Sequence, residues 1–358
     1  MQVLFLTQTD DRGASARLRA YQFVRPLARL GIDARVWPLP LGNATSALPP
    51  LRAALHLLHA CRRIVDIPRV RRFDAVVIQR DLVAHLYPWI ESAMARVNPR
   101  IVLDLDDPIH LHPPGRPPAW PFRLLWDRAK LPGLVRFARQ VVVANGVLRE
   151  AVASLGVEAA VIPTSIDTNR WTPGAPPGRS PFVIGWIGSP GTTAYLEAIS
   201  PALDAVAREI PCILRAVGAD AKLPDRLRRA APALRVETPP WSGADEVAEV
   251  RAFGAGIMPL SDDAWSRGKS ATKLLQYMAC EVPAIASPIG ANRDIVKDGV
   301  NGILAGSGPR WTEALLSLAR DRDLGAKLGR EGRATVVAEY DVEVSAPKLA
   351  EVIRRAAA

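Results

Sequence analysis

Short apolar runs recur along this chain, with helical or loop sequence between them. In the first half, Val3–Thr7 (VLFLT), Ala34–Trp37, Ala75–Gln79 (AVVIQ), Ile101–Leu105 (IVLDL), Gln140–Ala144 (QVVVA) and Ala160–Ile162 read as strands. Continuous rather than alternating hydrophobicity marks strands covered on both faces, as in a parallel α/β sheet. Arg17–Leu30 carries apolar residues at helical spacing. The count then restarts with Val183–Ile187 (VIGWI), Cys212–Val217, Leu234–Glu237, Ala255–Met258 and Ala284–Ser287. Helices are predicted between these at Leu196–Glu209, Ala244–Phe253, Thr272–Cys280 and Pro309–Ala319. The opening strand–helix unit thus occurs twice, near residues 3 and 183.

Between the halves, Trp171–Pro181 (WTPGAPPGRSP) concentrates Pro and Gly, which break helix and strand alike, and reads as a linker. The pattern predicts an α/β protein of two doubly wound Rossmann-like domains facing a cleft, at 1–165 and 166–335. The segment 336–358 is a further helix with no strand of its own, placed to pack back on the first domain.

A length of 358 residues suits two domains, and 49% hydrophobic with 23% charged residues excludes wholesale disorder. The three cysteines, at 61, 212 and 280, form no CxxC or Cys/His cluster. A disulfide framework and a zinc module are therefore not expected, and no metal site is assigned. The N-terminus lacks the form of a signal peptide, and no run is long enough to span a bilayer, so a cytoplasmic location is expected.

The net charge of +10 is uneven. Residues 1–165 hold 22 Lys/Arg against 13 Asp/Glu, and the remainder is close to neutral. Nucleic acid, an anionic membrane or a phosphorylated substrate each fits a basic half, as does an Arg-rich composition without a partner. Leu51–Arg72 interleaves Arg52, Arg62, Arg63, Arg69, Arg71 and Arg72 with Leu51, Leu55, Leu58, Ile64 and Ile67. A basic amphipathic helix of this kind lies on anionic lipid or forms a solvated surface. Its aromatics do not alternate with its cations, which argues against nucleic acid. The lipid reading predicts peripheral association at the inner face of the membrane through Arg62, Arg63, Arg69, Arg71 and Arg72.

Trp265–Leu304 (WSRGKSATKLLQYMACEVPAIASPIGANRDIVKDGVNGIL) carries the most chemistry. Arg267 and Lys269 flank Gly268, and Ser270 and Thr272 open a helix. A helix N-terminus with adjacent cations favours phosphate, although a capped helix with surface cations has the same sequence. No glycine stands where a P-loop requires its first, so a P-loop ATPase is excluded.

The run KLLQYMACEVPAIASPIGANRDIVKDGVNGILA resembles the signature of GT-B glycosyltransferases of family 4. GWIGSPGTTAYL at 185–196, VIPTSIDTNRWTP at 161–173 and GASARLRAYQFVRPLARLGI at 13–32 are similar to other segments of that family, in the same order. The resemblance implies a nucleotide-diphosphate sugar bound by the second domain and a sugar or lipid-linked acceptor bound by the first. It implies no cofactor beyond the donor and, in most relatives, retention of anomeric configuration. It places Gly13, Gly188, Arg267, Gly268, Lys269, Ser270, Thr272, Lys273, Gln276, Gly290 and Asp294 around the donor. Lys269 would stabilise the leaving diphosphate with Arg267 and Lys273.

The chain also departs from the family. The usual pair of glutamates falls on Gly268 and Gln276. The Gln276 amide keeps a hydrogen bond to ribose without the strength of a carboxylate. The turn Gly188–Thr193 has no cation. Glu281 stands where a helix-ending glycine is usual, at a cost in stability. Ser287 is read as turn chemistry.

In the first half, IVLDLDDPIHLH ends a strand with Asp104, Asp106, Asp107, His110 and His112. Ligands sit at the carboxyl ends of parallel strands, so these are the candidates to polarise or deprotonate an acceptor hydroxyl. Asp106 or Asp107 ranks ahead of His110, and capping of the next segment is the alternative. The expected function is glycosyl transfer in polysaccharide or glycolipid synthesis. The competing expectation is a non-catalytic binder of nucleotide-sugar or polyanion.

Overall fold

A computed structural model describes residues 1–40, 49–83, 87–111, 130–175, 178 and 180–358, with the side chains of 49–53 outside it. The chain forms two units. One comprises Met1–Ser165, Gly268–Ser270 and Val342–Ala358, the other Ile166–Arg267 and Ala271–Asp341.

The first unit holds a six-stranded sheet of β1 (Gln2–Thr7), β2 (Asp33–Pro38), β3 (Ala75–Gln79), β4 (Ile101–Leu105), β5 (Gln140–Val143) and β6 (Ala160–Val161). Its spatial order is β2-β1-β3-β4-β5-β6, with every pair parallel. Strand residues alternate between two apolar layers. Leu4, Leu6, Val76, Ile78, Leu103 and Val141 enter one, while Val3, Phe5, Val77, Val102 and Val142 enter the other. The helix Val342–Ala357 closes the second layer with Val342, Ala346, Leu349 and Ile353. Full burial of an aliphatic side chain stabilises by about 1.5–3 kcal/mol, so Leu349 and Ile353 alone anchor this helix firmly. The return to the first unit starts at Val342, later than the expected 336, because Val336 and Tyr340 belong to the core of the second unit.

The second sheet contains β7 (Phe182–Ile187), β8 (Cys212–Val217), β9 (Arg235–Glu237), β10 (Ala255–Met258), β11 (Ala284–Ala286) and β12 (Ile303–Leu304). Its order, β12-β11-β10-β7-β8-β9, is all parallel and reverses direction between β7 and β10. Aromatic rings lie close against glycine backbone here. An added Cβ would run into Phe253 at Gly185, Tyr277 at Gly256, and Trp186 at Gly188.

Two expected helices are broken, both at proline. Arg17–Leu30 becomes Ala14–Arg19, a 3-10 turn at Tyr21–Phe23, and Val24–Arg29. Pro26 has no N–H and clashes with the preceding turn, so it fits only the first turn of a new helix. Pro201 does the same to Leu196–Glu209, which splits into Ala194–Ala198 and Ser200–Glu209. The Pro/Gly-rich stretch is not the junction between units. That junction falls at Ser165–Ile166, and Trp171 is a buried core residue whose carbonyl accepts a bond from Arg333 at 3.0 Å.

The basic segment forms a helix, Pro49–Asp66, followed by a 3-10 run, Ile67–Arg72. Arg63 corrects the lipid expectation. Its side chain is fully buried and donates to the Thr7 carbonyl at 2.7 Å and the Trp37 carbonyl at 3.2 Å, with Asp66 at 3.3 Å. It fastens the helix to the sheet and cannot reach a membrane.

Candidate functional site

In the first unit, strand order reverses between β1 and β3, and the carboxyl ends of β1, β3 and β4 bring a charged cluster together. Gln79 pairs with Asp104 across β3 and β4, and the Arg80 N–H continues the ladder to the Asp104 carbonyl at 2.8 Å. Arg80 then leaves the strand with φ 62°, a left-handed conformation uncommon for any residue but glycine. Its guanidinium lies 2.5 Å from Asp106 and 2.5 Å from Asp107, and also donates to Ser15. The Ser15 hydroxyl donates to Asp106 at 2.5 Å. Beneath it, Arg19 binds Asp104 with Nε–Oδ2 at 2.9 Å and the Ile162 carbonyl at 2.9 Å.

Burial raises the pKa of Asp106, but the Arg80 charge and the bonds from Arg80 and Ser15 outweigh it, so its carboxyl is held below the ordinary range. For Asp104, burial outweighs Arg19 and the net direction is upward. Asp107 is the more open acid, its side chain 23% exposed against 5% for Asp106. Burial pushes the His110 imidazole down, which keeps it neutral at pH 7. His112 lies outside the described residues.

Gly13 caps the helix Ala14–Arg19 in this same unit, where a Cβ would collide with Thr9. Gly268–Ser270, distant in sequence, also count with it. A Cβ at Gly268 would lie 2.8 Å from the Pro108 ring, so the glutamate usual at that position has no room without movement of Pro108. Asn145 donates to the Gly268 carbonyl at 3.0 Å and the Lys269 carbonyl at 3.2 Å.

In the second unit the reversal between β7 and β10 is marked by Tyr277. Its hydroxyl accepts from the Ile187 N–H and donates to the Ile257 carbonyl, both at 3.2 Å. Diverging strands leave such groups unpaired, and the fully buried phenol satisfies both. Above this point the chain turns at Gly188 and Gly218, the latter at φ 73° with its Cα close to the Gly188 carbonyl. Lys273 reaches over the Trp186 ring, with Nζ 5.3 Å from its centre, and its Cε would touch a Cβ at Gly188. A cation thus stands beside the glycine turn, which has none of its own. Gln276, three residues on and so on the same helix face, is 5% exposed.

The helix opens differently from expectation. Its N-cap is Ala271, at φ 54°, with no side-chain cap from Ser270 or Thr272. Arg267 ends the short helix Ala264–Arg267 and pairs with Asp262 at 2.7 Å. Gly290, at φ 52°, sits against the Arg267 backbone, where no Cβ fits. Ser287 accepts from the Leu260 N–H at 2.9 Å, a turn role. Asp294 is exposed on the helix Ala291–Ile295.

The structure thus gathers Gly188, Lys273 and Gln276 in one unit, and Gly13, Asp106, Asp107, Gly268, Lys269 and Ser270 in the other. Sequence reasoning missed Arg80, Ser15, Arg19, Asn145 and Tyr277. The signal for Arg80 was available, an arginine directly after the largely apolar AVVIQ run of β3.

Residues 181–321 match the family model described as glycosyl transferases group 1. No curated protein matches the chain in sequence. Among solved structures, HepE from Anabaena in complex with UDP-glucose aligns with TM-score 0.71 and 16% identity, covering 99% of each chain. Sucrose-phosphate synthase from Thermosynechococcus elongatus aligns with TM-score 0.73 and 14% identity, over 99% of this chain and 98% of that one. A glycosyltransferase from Rickettsia africae aligns with TM-score 0.67 and 12% identity, over 99% and 98%. At such identities the likeness is one of fold, and the fold of the two parallel sheets is GT-B.

Proposed function

We propose that this protein of GT-B fold is a glycosyltransferase that moves a hexosyl group from a UDP-sugar to a hydroxyl of a sugar or lipid-linked acceptor, with retention, in polysaccharide or glycolipid synthesis. The observation that carries the donor reading is Lys273 standing over Trp186 beside the Gly188 turn, with Gln276 one helical turn on, at the switch point of a Rossmann-order sheet. The Gln276 amide offers a ribose hydroxyl both a donor and an acceptor. Lys273 meets the diphosphate, and Arg267 of the same unit adds positive charge where the leaving group develops its own. The choice of UDP rests on HepE, whose complexes hold UDP and UDP-glucose.

The reading of the first unit follows from its electrostatics. A carboxylate held anionic by arginine accepts a hydrogen bond from a hydroxyl readily and takes its proton reluctantly. We assign Asp107 to orienting and polarising the acceptor hydroxyl, and Asp106, with Ser15 and Arg80, to holding that edge in place. The donor diphosphate is met by side-chain cations, and no cofactor beyond the donor is invoked.

Titration of the protein with UDP, UDP-glucose, ADP and GDP, followed by thermal unfolding, tests the donor. A ligand that binds only the folded state raises the midpoint, and the uridine compounds are expected to do so most. UDP release from UDP-glucose, lost in Lys273→Gln, tests transfer. Binding without any UDP release, with a panel of sugar acceptors present, would leave a binder with a degenerate site, a reading favoured by the space that Pro108 denies to a glutamate at 268.

A further inference from the structure

The helix Pro49–Asp66 is inside out. Its sheet-facing positions are polar: His59 bonds the Pro40 carbonyl at 2.9 Å, Arg63 bonds Thr7 and Trp37, and Asp66 is fully buried. Its exposed positions are apolar. From Ala54 to Pro68 the exposed residues are Ala54, Leu57, Leu58, Cys61, Ile64, Val65 and Pro68, with Leu57 at 67% and Val65 at 49%. The residues 57, 58, 61, 64 and 65 recur at the spacing of one helix face, so they form a continuous stripe. A soluble helix carries charges there. A contiguous outward apolar stripe marks a surface that something covers.

The charges around the stripe identify what covers it. Asp66 is the sole acid between residues 49 and 72, and it is buried against Arg62, Arg63 and Arg69. The exposed charges that follow the stripe are Arg69, Arg71 and Arg72, the last lying 5.2 Å from the Trp37 ring. Two copies joined through this face would set these cations against one another. An anionic bilayer satisfies both parts, taking the aliphatic side chains below its headgroups and the guanidinium groups among its phosphates.

We propose that residues 54–72 form a docking surface for anionic membrane, on which Leu57, Leu58, Ile64 and Val65 insert and Arg69, Arg71 and Arg72 engage lipid phosphate. Insertion of the stripe is the main attachment, and the arginines select the lipid. The surface is independent of whether sugar is transferred, and its failure leaves the proposed reaction untouched.

Co-sedimentation of the full chain with phosphatidylglycerol and phosphatidylcholine vesicles, at low and high salt, tests it. Wild type should sediment with the anionic vesicles and retain part of that binding at high salt. Leu57→Glu with Ile64→Glu should weaken binding at least about tenfold. These positions are exposed, so an unchanged thermal midpoint is expected and shows that the fold survives. Arg69→Gln and Arg71→Gln should each cost about fivefold at low salt and flatten the salt dependence. Equal recovery with both lipids, no recovery with either, or undiminished binding of the double glutamate variant would overturn the proposal. So would a dimeric wild type that the same variant converts to monomer, since the stripe would then be an interface between copies.

Discussion

Arg80 holds the Asp106 carboxylate at 2.5 Å from a backbone in the left-handed region. The pair couples a strained strand end to a buried acid, and neither feature is stable alone. Removing the arginine leaves the Asp106 charge buried without its cation, a loss of about 3–5 kcal/mol in comparable sites. Arg80→Ala is therefore expected to lower stability by that order, while Arg80→Lys keeps the charge and loses the fork that spans two carboxylates. Denaturant unfolding of both variants measures this. An Arg80→Ala protein within about 0.5 kcal/mol of wild type would show that the cluster has another source of positive potential.

Glu281 ends the helix Thr272–Ala279 at φ 59°, with its own N–H on the Met278 carbonyl and the Val282 N–H on the Tyr277 carbonyl, both at 3.0 Å. This bond pattern normally takes glycine. Glu281→Gly should stabilise by about 1 kcal/mol, because the left-handed conformation costs a side-chain-bearing residue that much. The thermal midpoint should rise by about 2–4 °C for a unit of this size. The neighbouring Gly329→Ala should do the reverse, since its Cβ would strike the Glu281 carbonyl.

Gln276→Leu separates stability from binding. Leucine keeps most of the side-chain volume and adds no polar group, so the unliganded protein should change in stability by less than about 1.5 kcal/mol. The same change should weaken UDP binding about tenfold, the worth of one or two neutral hydrogen bonds. Calorimetric titration and a melt on the same sample decide it. A variant that loses stability and binds UDP as before would remove Gln276 from the donor site.

Burial lowers the pKa of both His59 and His110. The unfolded chain binds protons at these positions more readily than the folded one, so stability should fall as pH drops below about 6.5. It should be fully present above that value. Urea midpoints between pH 7.5 and 5 measure the slope, and His59→Asn should reduce it.

The parallel sheets were legible because their strands are apolar on both faces, a pattern that survives without any knowledge of contacts. Helix limits were less so wherever a proline stands near the start of a turn, as at Pro26 and Pro201, since a periodic pattern continues across a break in the backbone. Gly188, Lys273 and Gln276, the residues proposed for the donor, were singled out by resemblance to family segments, and the structure sets Gly188 and Lys273 side by side. The acid cluster was half legible. Asp106 and Asp107 stand out in the chain, whereas Ser15 reaches them from the start of a helix and Arg80 from another strand end, and no local spacing reports that. Arg63 shows the same limit in reverse, because a cation in a basic run looks solvated until Asp66 and the Thr7 carbonyl are seen around it.

The rings that lie on glycine in the second unit have an evolutionary consequence. Phe253 occupies the volume that a side chain at 185 would need, and Tyr277 does so at 256. Each ring and its glycine therefore behave as a single inherited character. An alanine at 185 becomes tolerable only after residue 253 has shrunk, and a smaller residue at 253 leaves a void until 185 has grown. Either order passes through an intermediate destabilised by about 3–5 kcal/mol, the cost of truncating a buried phenylalanine or overpacking its site. Descendants of this chain should thus change both positions of a pair or neither.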